Sequence, residues 1–243
     1  MSRNLIFDAD DTLWENNVYF IDATEKFLDV MEAGQLDRDE ARRRLTDAER
    51  VFVDQFGYGT AAYTDCLVQT ARELLPDISE DTLALVENLA LGILERDPIE
   101  VLPGVEDALR SLCGHHRLFL LTKGDDVEQR DKLTRSRLEQ YFEHVEVARE
   151  KNVETYSRFA RRLRLDPART WMIGNSPRSD INPALAANMN AVYIPHSQTW
   201  EMELEEIEDP GSHRLRVVDS IADLLELLSS WKDEPAAEPF SRS

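Results

Sequence analysis

Short apolar runs alternate with amphipathic stretches along most of this chain, and that alternation leaves few folds open. Leu5–Asp8, Arg117–Thr122, Thr170–Gly174 and Ala191–Pro195 read as buried strands. Around them, Gly104–Cys113, Asp126–Leu138, Asn152–Leu165 and Asp180–Asn188 space their apolar residues as helices do. Strand–helix alternation of this kind is the pattern of a parallel sheet with crossover helices on its faces. Val145–Val147 and Leu215–Val218 add short strands, and Ser220–Trp231 a last helix.

One stretch breaks the rhythm. From Glu15 to Asp97 the pattern is almost wholly helical, through Ala23–Ala33, Arg38–Phe56, Tyr63–Leu75 and Asp81–Glu95. Breaks fall at Gly34, at Gly57-Tyr58-Gly59 and at Pro76-Asp77, and Pro98 and Pro103-Gly104 mark the return. The sequence therefore predicts an α/β fold: a three-layer α/β/α Rossmann-like core with a parallel sheet, formed by 1–14 and 98–231. A smaller helical cap domain, 15–97, is inserted after the first strand. The tail 232–243, with Pro235 and Pro239 among charged and small residues, is expected to be disordered.

A chain of 243 residues suffices for such a core plus an insertion. Its 48 acidic against 28 basic residues give a net charge of −20. Coulomb repulsion at that charge opposes nucleic-acid and anionic-membrane partners, and an anionic substrate would need local cations. No apolar stretch reaches the roughly 18 residues of a membrane span. The first strand begins at once, so no secretory leader is expected. Cys66 and Cys113 lie far apart in helical segments and read as free thiols of a cytoplasmic protein, monomer or homodimer.

In an open α/β sheet, ligands bind beyond the carboxyl ends of the strands. The first strand ends in Asp8-Ala9-Asp10-Asp11-Thr12, two carboxylates that repel unless a cation or proton separates them. A strand-end carboxylate can attack phosphorus, and a second can protonate the leaving oxygen and then activate water. The same residues could also form a plain Asx-turn. Thr122-Lys123-Gly124 ends the second strand, where a hydroxyl and free N–H groups suit a phosphate oxygen or merely cap a helix. Lys151 precedes an amphipathic helix and offers either a countercharge or an ordinary exposed ammonium. Gly174-Asn175-Ser176 follows the third core strand, and Asp180 adds a carboxylate or a helix cap. Three carboxylates meeting at one point call for a hard cation, and Mg2+ fits best.

Taken together these four stretches resemble the haloacid dehalogenase (HAD) superfamily, in its phosphatase-type branch with a helical cap. Asp8-Ala9-Asp10-Asp11-Thr12 matches its D-x-D-x-T motif, Thr122 the strand-ending Thr or Ser, and Lys151 the loop Lys. Gly174-Asn175-Ser176 with Asp180 matches the terminal acidic motif. The resemblance implies Asp8 as nucleophile, Asp10 as general acid/base, and Thr122 and Lys151 as phosphoryl stabilisers; Lys123, next to Thr122, is read as a further phosphate contact. It implies Mg2+ held by Asp8, the Asp10 backbone carbonyl and Asp180, with Asn175 beside them. Dehalogenases lack the second Asp, so Asp10 favours a phosphate monoester of a small metabolite. Phosphomutases retain it, and the motifs do not separate the two. Asn175 stands where many members carry Asp, which weakens the expected hold on Mg2+ and motivates a third reading, a non-catalytic phosphate-binding scaffold. Against that reading, a scaffold has no need of the Asp8–Asp10 pair.

Glu15-Asn16-Asn17 is expected in the flap that leads into the cap. Gly57-Tyr58-Gly59 reads as a helix–helix turn or, less simply, a substrate-selecting loop. His196, Trp200 and Arg178 are left as packing or surface residues.

Overall fold

The computed structural model describes residues 2–230 apart from Pro210 and Ser212; the predicted tail 232–243 and Trp231 lie outside the described residues. Six strands form one sheet: β1 (Asn4–Phe7), β2 (Arg117–Lys123), β3 (His144–Ala148), β4 (Thr170–Gly174), β5 (Asn190–Tyr193) and β6 (Leu215–Val217). Their order is β3-β2-β1-β4-β5-β6 and every pairing is parallel. β1 lies at the centre, with Leu5 opposite Leu118 of β2 and Trp171 of β4.

Strand periodicity divides the core in two. Leu5 and Phe7 face a cluster with Leu109, Leu112, Leu133 and Leu224, whereas Ile6 faces Phe119, Tyr156, Phe159 and Met172. The helical members come from α5 (Val105–Cys113), α6 (Asp126–Ser136), α7 (Val153–Leu163) and α9 (Ile221–Ser230), and α8 (Asn182–Ala186) adds Ala184 to the second cluster. Helices on both faces explain why the strands read as unbroken apolar runs.

The helical interruption folds into α1 (Asn17–Ala33), α2 (Arg38–Phe56), α3 (Thr60–Leu74) and α4 (Glu80–Leu94). These pack around their own centre of Phe27, Leu28, Met31, Leu45, Leu67 and Val86. Gly57 and Gly59, at φ +85° and +125°, make the turn between α2 and α3 that L-residues rarely make.

The helix predicted over Asp180–Asn188 takes a different form. A π-helical turn spans Pro177–Ile181, and α8 follows only over Asn182–Ala186. The Ser176 side chain caps the turn by accepting from Ser179 N–H. Asn188 then closes α8 at φ +61°, a left-handed position that asparagine tolerates. Among the described residues no helix is long and apolar enough to cross a membrane.

Candidate active site

The strand order reverses direction at β1 and β4, and a doubly wound sheet opens a crevice at such a switch point. The sequence after β1 is shaped to stay there. Asp8 N–H donates to Ile173 O at 2.9 Å, tying the loop to β4. Asp11, at φ +59°, turns the chain, and its carboxylate accepts from the N–H groups of Asn16 and Asn17 at 2.9 and 3.0 Å. Burial, helped by Asp10 and Asp8 and opposed by those N–H groups, lifts the Asp11 carboxyl to about 7.

Lys151 reaches the crevice from the loop before α7. Its ammonium is buried and donates to Asp8 Oδ1 and Asp180 Oδ1, each at 2.5 Å, with Leu121 O at 3.4 Å. Burial pulls its pKa down, but Asp180 and Asp8 outweigh that and hold it well above the ordinary lysine value. Asp180 is raised to about 7, chiefly by burial and next by Asp8, while Lys151 opposes. Two buried carboxylates against one ammonium leave one negative charge in excess. That imbalance, on hard oxygen donors, fits a divalent cation such as Mg2+.

The other predicted residues converge here as well. Thr122, at the end of β2, is buried and donates to Gln129 Oε1 at 3.3 Å. Asn175 accepts from Thr12 Oγ1 at 3.2 Å, and the same hydroxyl lies 3.1 Å from Asp8 Oδ2. Asp10 receives three donors: Trp14 Nε1 at 2.7 Å, Gln129 Nε2 at 2.8 Å and Lys132 Nζ at 2.6 Å. Lys123 turns aside to pair with Glu203, donates to Ser179 Oγ at 2.9 Å and stacks 4.1 Å from the Tyr58 ring centroid. Glu203 also takes the Ser176 hydroxyl at 2.5 Å. Its carboxyl is held below the usual range because Lys123 and these hydroxyls outweigh its burial.

Above these groups the cap closes a cavity of about 180 Å³, small beside the 300–1,000 Å³ of a typical drug-sized pocket. Its cap wall is mostly apolar, built from Phe20, Phe52, Val53, Ala62 and Tyr63, with Glu49 as a lone carboxyl and Cys66 behind. Burial pushes the Cys66 thiol up to about 12, which rules it out as a ready nucleophile. Tyr58 and Trp200 meet edge to face at 6.2 Å on the rim. The loop Gly57-Tyr58-Gly59 is thus both a helix–helix turn and part of the cavity wall. Arg178 points elsewhere and donates to Met202 O at 3.0 Å.

The family description for haloacid dehalogenase-like hydrolases matches residues 3–188, which span both the helical insertion and the crevice. The chain belongs to the haloacid dehalogenase-like hydrolases. A solved structure of such a hydrolase from Xanthomonas campestris aligns at a TM-score of 0.82 with 30% identity, covering 94% of this chain and 91% of that one. A glyceraldehyde 3-phosphate phosphatase of Methanothermobacter thermautotrophicus is 28% identical over 94% of this chain and 100% of its own length. A Methanocaldococcus jannaschii protein of the same name is 22% identical over 96% and 100%. The 2-haloacid dehalogenase of Pseudomonas syringae shares the fold, at a TM-score of 0.61 and 19% identity.

Within this hydrolase, four residues of the crevice carry no motif that marks them in the sequence: Gln129, Lys132, Glu203 and Glu49. Gln129 and Lys132 lie on a helix with few apolar residues, which reads as a solvated face. Glu203 sits in the acidic run 201–208, and Glu49 in the charged helix α2.

Proposed function

We propose that this hydrolase is a Mg2+-dependent phosphatase, cleaving the phosphate monoester of a small metabolite through a phospho-Asp8 intermediate in a reducing, cytoplasmic compartment. The observation that carries the reading is Lys151, shared between Asp8 and Asp180 at 2.5 Å each, with Asp10 poised on the same loop as Asp8. Asp8 attacks phosphorus, the phosphorus–oxygen bond to the substrate breaks, and Asp10 gives its proton to the departing alkoxide. The Asp10 carboxylate then takes a proton from water, the hydroxide attacks phosphorus, and the Asp8–phosphorus bond breaks to release inorganic phosphate.

Lys151 and the Thr122 hydroxyl stabilise charge on the phosphoryl oxygens, the main source of catalysis in phosphoryl transfer. Lys123, expected to contact the phosphate, is instead paired with Glu203 and stacked on Tyr58 at the cavity wall. Mg2+ would be held by the Asp8 and Asp180 carboxylates and the Asp10 backbone carbonyl, with Asn175 beside them, and would supply further positive charge at the phosphoryl oxygens. A halide leaves without a proton, so a second carboxyl group beside Asp8 suits an alkoxide leaving group, and three donors hold that group, Asp10, in place. The phosphatase names of relatives aligned over their full length support the same reaction.

The test is a panel of small phosphate esters with and without Mg2+, comparing the native protein with Asp8→Asn. Mg2+-dependent release of phosphate, at least about a thousandfold lower in the variant, is expected, in line with the loss of a nucleophile. Comparable turnover by both proteins would refute the mechanism, and no turnover by either would favour a binding scaffold.

A further inference from the structure

One face of α6 touches the cap and the crevice at once. Glu128 caps the N-terminus of the cap helix α3 from outside: its Oε2 accepts from Thr60 N–H at 2.9 Å and its Oε1 from the Thr60 hydroxyl at 3.0 Å. Thr60 N–H is one of the donors that a helix start leaves without an internal partner, so the clasp satisfies a group that nothing within α3 can. Gly59 makes the approach possible, since a Cβ there would lie 3.2 Å from Asp125 Cβ, and its φ of +125° disfavours a side chain.

One helical turn along the same face, Lys132 Nζ lies 3.9 Å from Glu128 Oε1, 2.6 Å from Asp10 Oδ1 and 3.1 Å from Asn16 Oδ1. Between them Gln129 donates to Asp10 Oδ2 at 2.8 Å and accepts from Thr122 at 3.3 Å. The side chains of Glu128 and Lys132 are only 11% and 12% exposed, too enclosed for an ordinary solvated pair.

We propose that Glu128, Gln129 and Lys132 are positioning residues that tie the seating of the cap to the placement of the Asp10 carboxyl. This rests on the phosphatase reading, in which Asp10 passes a proton to the leaving group. With the cap seated, Thr60 occupies Glu128, and the Lys132 ammonium is left to Asp10 and Asn16. With the cap lifted, Glu128 loses both donors and becomes the nearer partner for Lys132, as an i,i+4 pair. Asp10 then loses its strongest donor. The proton-transfer group is thus assembled only over an enclosed substrate, where water competes least.

The experiment compares two esters of similar shape, phenyl phosphate, whose leaving group needs a proton, and p-nitrophenyl phosphate, whose leaving group does not. kcat/KM is measured for both on each preparation, because it reports the step in which the leaving group departs, and the ratio is insensitive to the fraction of protein folded. Lys132→Met is expected to lower kcat/KM for phenyl phosphate at least fivefold more than for p-nitrophenyl phosphate, and Lys132→Arg to recover most of that loss. Glu128→Gln is expected to shift the ratio the same way by about twofold. Equal losses on the two esters, or an unchanged ratio in both Lys132→Met and Glu128→Gln, would overturn the proposal while the native turnover upheld the phosphatase reading. Absence of native turnover on both aryl esters and on the whole panel of small phosphate esters would overturn the two together.

Discussion

Asn175 is the residue at which one side-chain atom bears on the proposed metal requirement. It is buried between two hydroxyls, accepting from Thr12 and donating from Nδ2 to Thr199 Oγ1 at 3.3 Å. An amide there leaves the crevice one negative charge short of a carboxylate. Asn175→Asp restores that charge, and the Thr199 hydroxyl can turn to donate to it. We expect the Mg2+ concentration for half-maximal activity to fall about tenfold, since ligand charge tunes hard-cation affinity. An unchanged midpoint on titration would contradict this. Glu49 makes the opposite point, a carboxyl with too few partners. Burial raises it to about 7 from the ordinary 4.5, so between these values the folded protein binds more protons than the unfolded chain. Stability from this group is therefore lost as pH rises through that window. Glu49→Gln should stabilise the protein by about 2 kcal/mol at pH 8 and by much less at pH 5, a difference of several degrees in melting temperature. An equal gain at both pH values would contradict the assignment.

At the scale of elements, the end of β4 leaves no room for a side chain at Gly174. A Cβ on Gly174 would lie 2.2 Å from Asp180 Oδ2, and Asp180 is itself fixed by Ser176 N–H at 3.0 Å and by Lys151. Gly174→Ala must push the carboxylate away from Lys151. It should cost about 2–4 kcal/mol in stability, the range for overpacking joined to a broken buried ion pair, and remove most activity. Chemical denaturation with native-like stability would contradict that. The strand ends were legible in the sequence because unbroken apolar runs stop abruptly at Asp8, Thr122 and Gly174. The π-helical turn was not, because its extra residue depends on the Ser176 cap and on where Asp180 must point. Nor was the role of Gln129 and Lys132: a polar helix face gains meaning only once α6 lies beside the loop after β1. Their partners Asp10 and Asn16 lie more than a hundred residues away in sequence.

Across the whole molecule, a chain of net charge −20 gathers its buried ammonium where two carboxylates meet, and closes an insertion over that point. The parallel sheet supplies the crevice, the cap the enclosure, and neither alone makes a site for an anionic ester. The alternation of strands and helices, with one helical break, made this division legible. The apolar wall of Phe20, Phe52 and Tyr63 was not, since those residues also fit a helical core. The account depends above all on a covalent bond between Asp8 and phosphorus. The most direct measurement is mass spectrometry of the acid-quenched reaction with a turned-over ester and Mg2+. A phosphoryl group on the peptide that holds Asp8, absent from Asp8→Asn, is the predicted result. Steady turnover with no phosphoryl group on Asp8 at any quench time, and undiminished in Asp8→Asn, would contradict it.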